Sequence, residues 1–262
     1  MSTTLLLPLG AGLLGLVVGS FLNVVIWRVP RGESIVRPGS HCPACGAAVR
    51  PRDNIPVASW LLLGRKCRDC RAPISARYPG VELLTAVVFG LLAVQLGPVP
   101  ALPAFLYLAA VGVALALIDL DVRRLPNALV LPSYGVGILL LAVAAATGHQ
   151  WGFLLRALAG MAILFAFYFA VAFAYPKGMG FGDVKLAGVL GLYLGWLGWG
   201  ELAVGAFLGF LFGAVVGVAL MAAHRAERRT ALPFGPFMLG GALVGIVYGA
   251  GLSGAYLSVF TR

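Results

Sequence analysis

Asp119 and Asp183 stand where a carboxylate is costly. The first ends an apolar run in VGVALALIDLDVRRLPN; the second follows three alternate glycines in KGMGFGDVKL, just before another apolar run. An ionised side chain deep in lipid costs roughly 2.5–3.5 kcal/mol or more, so such residues face a protein interior or a water-filled cavity. Two carboxyl groups forced together cannot both ionise. The one that keeps its proton can polarise a peptide carbonyl while the ionised one takes a proton from water. Such a pair hydrolyses an amide with neither a metal nor a covalent intermediate. The competing chemistry is that of a transporter or channel, where membrane carboxylates relay protons or bind ions.

The neighbours of the two aspartates divide between roles. Residues two apart on a helix point about 200° apart, so Asp119 and Asp121 cannot share a face. Asp121 lies nearer Arg123 and Arg124 and can pair with them, whereas Asp119 has no such partner in sequence. Pro126 ends this excursion and Asn127 can cap the next helix. Gly178, Gly180 and Gly182 remove side chains from the approach to Asp183, permit positive φ, and let another backbone come close. The plainer alternative is a glycine-rich loop with Asp183 as a helix N-cap. Lys185 either orients Asp183 or marks the lipid interface. Glu82, just inside the second apolar run, either holds a substrate amine or pairs with Arg77.

All four cysteines lie in one polar stretch, as CPAC (Cys42, Cys45) and CRDC (Cys67, Cys70). Two C-x-x-C knuckles at this separation predict a zinc ion held by four thiolates. Filling all four tetrahedral positions with protein leaves none for water or substrate, so the role predicted is structural. Disulfides are the alternative and would not persist in a reducing cytoplasm.

These residues must be positioned by elements that can live in a bilayer. The 262-residue chain is 61% hydrophobic and 11% charged, with mean hydropathy +0.98. Soluble domains carry about 25% charged residues. The apolar residues form blocks near 5–27, 80–97, 103–119, 127–147, 152–175, 184–199, 202–222 and 232–259, close to the ~20 residues a helix needs to cross hydrocarbon. The blocks do not alternate, which excludes a transmembrane β-barrel. The predicted fold is an all-α polytopic membrane protein of about eight transmembrane helices. It divides into a first helix (1–27), a small cytoplasmic zinc-binding loop domain (28–79) and a seven-helix core (80–262). The first span lacks the positive n-region of a signal peptide and reads as retained.

Charge sets the expected orientation. The net charge of +10 is distributed as in a membrane protein and gives no nucleic-acid partner. Residues 28–77 hold ten of the nineteen Lys and Arg. With eight spans they share a side with Arg123, Arg124, Lys177, Lys185, Arg225, Arg228 and Arg229, leaving only Arg156 and Arg262 opposite. That side is therefore cytoplasmic, and it carries Asp119, Asp183 and the cysteines.

At these residues the sequence resembles a known family. GMGFGDVKL resembles the GxGD motif of polytopic aspartic proteases, and LIDLDVRRLPN its partner segment in type IV prepilin peptidases. GSFLNVVIWRVP, the two knuckles, RYPGVELLTA and PFGPF resemble the same family in the same order. The resemblance implies a multi-pass enzyme of the bacterial inner membrane that cuts prepilins and pseudopilins of type IV pili or type II secretion at the cytoplasmic face. It implies Asp119 and Asp183 as the catalytic pair, with Asp121 a neighbour. It also implies N-methylation of the new N-terminus with S-adenosylmethionine, although no βαβ nucleotide fingerprint appears in the sequence. PFGPF reads as lining a substrate groove or as a helix start.

Overall fold

Backbone in hydrocarbon must satisfy its own hydrogen bonds, which apolar, non-alternating runs do by coiling into helices. In the computed structural model, residues 3–176, 178–224 and 232–260 are described. Lys177, Arg225, Glu227, Arg228, Arg229 and Arg262, several of which enter the charge count above, lie outside them. The helices among the described residues are α1 (Thr3–Arg28), α2 (Ala58–Leu62), α3 (Arg77–Leu96), α4 (Leu102–Val122), α5 (Asn127–Gly148), α6 (Trp151–Ala174), α7 (Phe181–Leu197), α8 (Trp199–Ala222) and α9 (Gly235–Phe260).

Every apolar block named above becomes one long helix. Seven are long and apolar enough to cross a membrane. The eighth, α7, has 17 residues, about 25 Å of helix, and lies at the short end of the spanning range. It is also the most enclosed, with every residue from Leu186 to Trp196 buried. A helix packed on all sides contacts protein where its neighbours contact lipid.

The chain forms two compact units. One contains residues 1–102 and 106–114, the other 103–105 and 115–262. The first unit holds α3 together with α1, because α3 packs along α1. Gly15 and Gly19 permit this: a Cβ on either would lie 2.7 Å from a backbone Cα of α3.

In the second unit α7 lies against α5, α6, α8 and α9. Backbone meets backbone along the α6–α7 seam, where a Cβ on Gly160 would stand 2.6 Å from the Gly191 carbonyl oxygen. The far end of α7 is closed by Arg156 of α6. Its guanidinium donates to the carbonyls of Gly195 (2.8 Å), Trp196 (2.6 Å) and Leu197 (2.9 Å). These carbonyls have no partner within their own helix, and a cation suits a helix C-terminus. Arg156, counted from sequence only as a charge on the outer side, is the C-terminal clamp of the helix that carries Asp183.

Gly160→Val should push α6 and α7 apart and lower the melting temperature in detergent, by the equivalent of about 1–3 kcal/mol or more. Gly152→Ala in the same helix meets nothing within 4 Å and should leave melting unchanged or slightly raised. Equal melting of the two variants would contradict this packing.

Candidate active site and metal centre

The site in the second unit is assembled from three helix ends. Asp119 occupies the last turn of α4 and is 5% exposed, whereas Asp121, on the opposite face, is exposed. A continuous helix produces that difference, as its period requires. The Asp119 Oδ2 accepts the backbone N–H of Gly235 at 3.0 Å. Gly235 opens α9, so the carboxylate meets the positive end of a helix dipole.

Asp183 is held in an equivalent way. Its Oδ2 accepts the Gly180 N–H at 3.1 Å, and its own N–H donates to the Gly180 carbonyl at 3.0 Å. Gly180 is the N-cap of α7. Asp183 is therefore the third residue of the helix rather than its N-cap, with a carboxylate reaching back over the first turn. Leu125 packs between the supports of the two carboxylates: Cβ atoms on Gly182 and on Gly235 would each lie 3.2 Å from its side chain.

The glycines act through space and not through unusual torsions. Gly180 has an extended φ of −77°, and neither Gly178 nor Gly182 adopts a positive φ. What they supply is room. A Cβ on Gly182 would press on Leu125, and one on Gly180 would lie 3.4 Å from the Asp183 carboxylate.

Other candidates found different partners. The Lys185 Nζ donates to Asn127 Oδ1 at 3.0 Å and lies 4.9 Å from the centre of the Phe181 ring. It thereby ties the start of α5 to α7. Asn127 is the first residue of α5, after Pro126 as N-cap, so its side chain serves Lys185 and not a cap. The Tyr134 hydroxyl adds a second tie by donating to the Lys185 carbonyl at 2.6 Å. PFGPF starts a helix and supplies the Asp119 donor, so its two readings merge in one residue, Gly235. Beneath it Phe234 packs 5.4 Å from Phe210 and 6.4 Å from Tyr168. Sequence reasoning missed Gly235, Leu125 and Tyr168; only the Gly between two Pro-Phe pairs signalled a close approach.

The candidate metal centre belongs to the first unit. Cys42, Cys45, Cys67 and Cys70 place their sulfurs within 4.8 Å of one another, and no disulfide joins them. Tetrahedral thiolates with ~2.3 Å bonds to a metal lie about 3.8 Å apart, and Cys42 and Cys70 sulfurs are 3.8 Å apart. The residues fit a metal ion. The knuckles repeat one bonding pattern, Cys42 N–H to Ala47 and Gly46 N–H to Cys42 in the first, Cys67 N–H to Ala72 and Arg71 N–H to Cys67 in the second. Both turns need a left-handed residue, Gly46 (φ +73°) and Arg71 (φ +61°). Backbone N–H groups of Cys45 and Ala44 hold the Cys42 thiol down at about 7, which favours the thiolate a metal binds.

Two acids of the loop, Asp53 and Asp69, brace the knuckles. Arg68 grips Asp53 through two hydrogen bonds of 2.8 and 2.6 Å and holds its carboxyl below the usual carboxylate range. Arg50 pairs with Asp69 at 3.3 Å. Glu82, 7% exposed, accepts the Val57 N–H at 2.7 Å and a hydrogen bond from Ser20, joining α1, α3 and the cysteine loop.

Both sites fall within segments shared with known proteins. Residues 13–96 match the Bacterial Peptidase A24 N-terminal domain, and residues 106–221 match the Type IV leader peptidase family. The chain is 37% identical to the prepilin leader peptidase/N-methyltransferase of Aeromonas hydrophila, over 95% of this chain and 93% of that protein. The chain belongs to the type IV leader peptidase family. The family member of the same name from Pseudomonas aeruginosa is 35% identical over 94% of this chain and 91% of its own length. A type 4 prepilin-like proteins leader peptide-processing enzyme from Escherichia coli O78:H11 is 37% identical over 90% and 92%. No solved structure matches the chain significantly.

Two outcomes test these sites. Cys67→Ser should abolish metal retention, read by elemental analysis, and open residues 40–75 to protease while the helices stay folded; structural metal supplies on the order of 10–16 kcal/mol in small domains. Retained metal, or collapse of the helices, would contradict it. Gly235→Ala puts a Cβ 2.9 Å from the Asp119 Oδ2 and should depress any activity of the pair far more than it lowers melting.

Proposed function

We propose that the chain is a membrane aspartic endopeptidase that removes the leader from prepilins or pseudopilins, with Asp119 and Asp183 as its catalytic pair. What supports this is that each carboxylate accepts a backbone N–H at a helix start and that Leu125 packs against the supports of both. One oxygen of each carboxylate is engaged by the fold, and in this reading the other does the chemistry. One carboxyl, protonated, donates to the scissile carbonyl oxygen. Its partner, ionised, takes the proton of a water that attacks the carbonyl carbon, and the proton passes to the leaving amine as the bond breaks. Gly180 and Gly182 leave the backbone beside Asp183 open to an extended substrate strand. Leu125 and the Tyr168–Phe210–Phe234 cluster shield the pair from water below.

The metal of the cysteine loop is zinc in this reading. Four thiolates saturate it, so it supplies folding stability to the loop and takes no part in hydrolysis. The relatives' names also carry an N-methyltransferase activity, which we assign to this chain with S-adenosylmethionine as methyl donor. Among the described residues there is no βαβ unit to cradle a nucleoside, and Glu82, one candidate for the substrate amine, already accepts the Val57 N–H. No residue is therefore assigned to the donor. The basic loops support a cytoplasmic position for the pair and the metal centre, where a prepilin leader meets the membrane. Asp119 and Asp183 sit at helix ends and not at mid-span, which favours a protease over an ion pathway.

Purified protein given a prepilin should cleave it, and Asp119→Asn or Asp183→Asn should each lower the rate roughly a thousandfold or more with unchanged melting. Cleavage surviving either substitution would overturn the assignment. Labelled S-adenosylmethionine in the same assay should label the new N-terminus.

A further inference from the structure

The segment IPVASWLL, Ile55–Leu62, is the most apolar part of an otherwise basic loop and takes no part in the metal centre. Its first residues are not held out in water. The Val57 N–H is bound to Glu82, the sixth residue of α3. Val57 adopts φ +59° and ψ −50° to make that bond, a conformation a β-branched residue accepts only when its surroundings fix it.

This contact fixes a depth. The 20 residues of α3 measure about 30 Å, the thickness of the hydrocarbon core. Glu82 thus lies about 7 Å inside the end marked by Arg77. The neighbouring helix agrees. Gly19 touches α3 at Glu82, and α1 runs on to Arg28, about 13 Å further. The chain therefore leaves α1 well outside this level and folds back to it at Val57.

The face turned outward is apolar. Ser59 points inward, donating to the Arg52 carbonyl and accepting the Ile55 N–H. Leu61, about 200° round the helix from Ser59, and Leu62, at the end of the helix, are 59% and 85% exposed, and Ile55 53%. The Trp60 indole N–H is bound to the Ile74 carbonyl, and Arg65 lies 4.8 Å from its ring centre. Tryptophan and arginine side by side suit the headgroup level. Arg52, Arg65 and Lys66 surround the segment with positive charge, which complements anionic lipid.

We propose that Ile55–Leu62 is an interfacial anchor that inserts Leu61 and Leu62 into the protein's own bilayer. Its depth matches the ~5–10 Å at which in-plane amphipathic helices lie. The anchor pins the metal-binding loop against the membrane surface, with anionic headgroups seated on its basic rim. The inference rests on the geometry of the first unit and not on the peptidase reading.

The test is fluorescence of full-length protein in nanodiscs of phosphatidylethanolamine and phosphatidylglycerol, without substrate. Leu62→Trp adds an indole at a position that touches little of the fold. Val36→Trp is the control: Val36 is 75% exposed and lies in the stretch that Arg28 holds through the Ser34, Pro38 and Gly39 carbonyls, at the far end of α1. The emission added by Leu62→Trp should be blue-shifted and mostly lost with lipids brominated high on the acyl chain, while that of Val36→Trp stays red and unquenched. Bound metal, measured in both variants, shows that the loop is intact. Red, unquenched emission from the Leu62→Trp variant would overturn the anchor and leave the leucines to a protein partner. Equal quenching in both variants would also overturn it, since the whole loop would then lie in lipid.

Discussion

A carboxylate buried at the end of a membrane helix must be compensated, and the compensation chosen here shapes the second unit. Asp119 and Asp183 each accept a backbone N–H at the start of a helix. An ion pair in its place would neutralise the charge and fill the oxygens that chemistry needs. A single N–H with the helix dipole behind it holds the group in place and leaves it reactive. The cost is geometric: α4, α7 and α9 must bring three ends to one point.

That requirement accounts for the packing around α7. Bringing its N-terminus to Asp119 needs a helix that neither slides nor tilts, and α7 is enclosed by α5, α6, α8 and α9. Gly160, Gly191 and Gly195 let α6 approach to backbone contact. Arg156 closes the far end, and the Lys185–Asn127 and Tyr134–Lys185 bonds fix the near one. The first unit uses a different device. There the four clustered cysteines, two Arg–Asp pairs and the Glu82–Val57 bond order a loop too polar to build a core of its own.

Much of this was legible in the sequence because it is periodic or spaced. Long apolar blocks dictate helices, the helical repeat separates Asp119 from Asp121, and paired C-x-x-C motifs draw four sulfurs together. What escaped was whatever depends on which helices meet. Gly235 reads as a helix start until α9 is placed beside α4. Arg156 reads as an outer-side charge until the C-terminus of α7 arrives beneath it. Asn127 reads as a cap until Lys185 reaches it, and of the two roles open to the alternate glycines, positive φ and room, only room is used. The Asp53–Arg68 and Asp69–Arg50 pairs escaped because the partners lie 15 and 19 residues apart, with no periodicity to reveal the pairing.

The central claim is that Asp119 and Asp183 work as one group. A double-substitution comparison addresses it most directly, with cleavage of a prepilin measured for both single Asp→Asn variants and for the double variant. Residues that act as a unit are strongly non-additive, so the double variant should retain the same residual rate as either single one. Losses that multiply would mean that the two carboxylates act independently, and the shared site described here would not be the site of reaction.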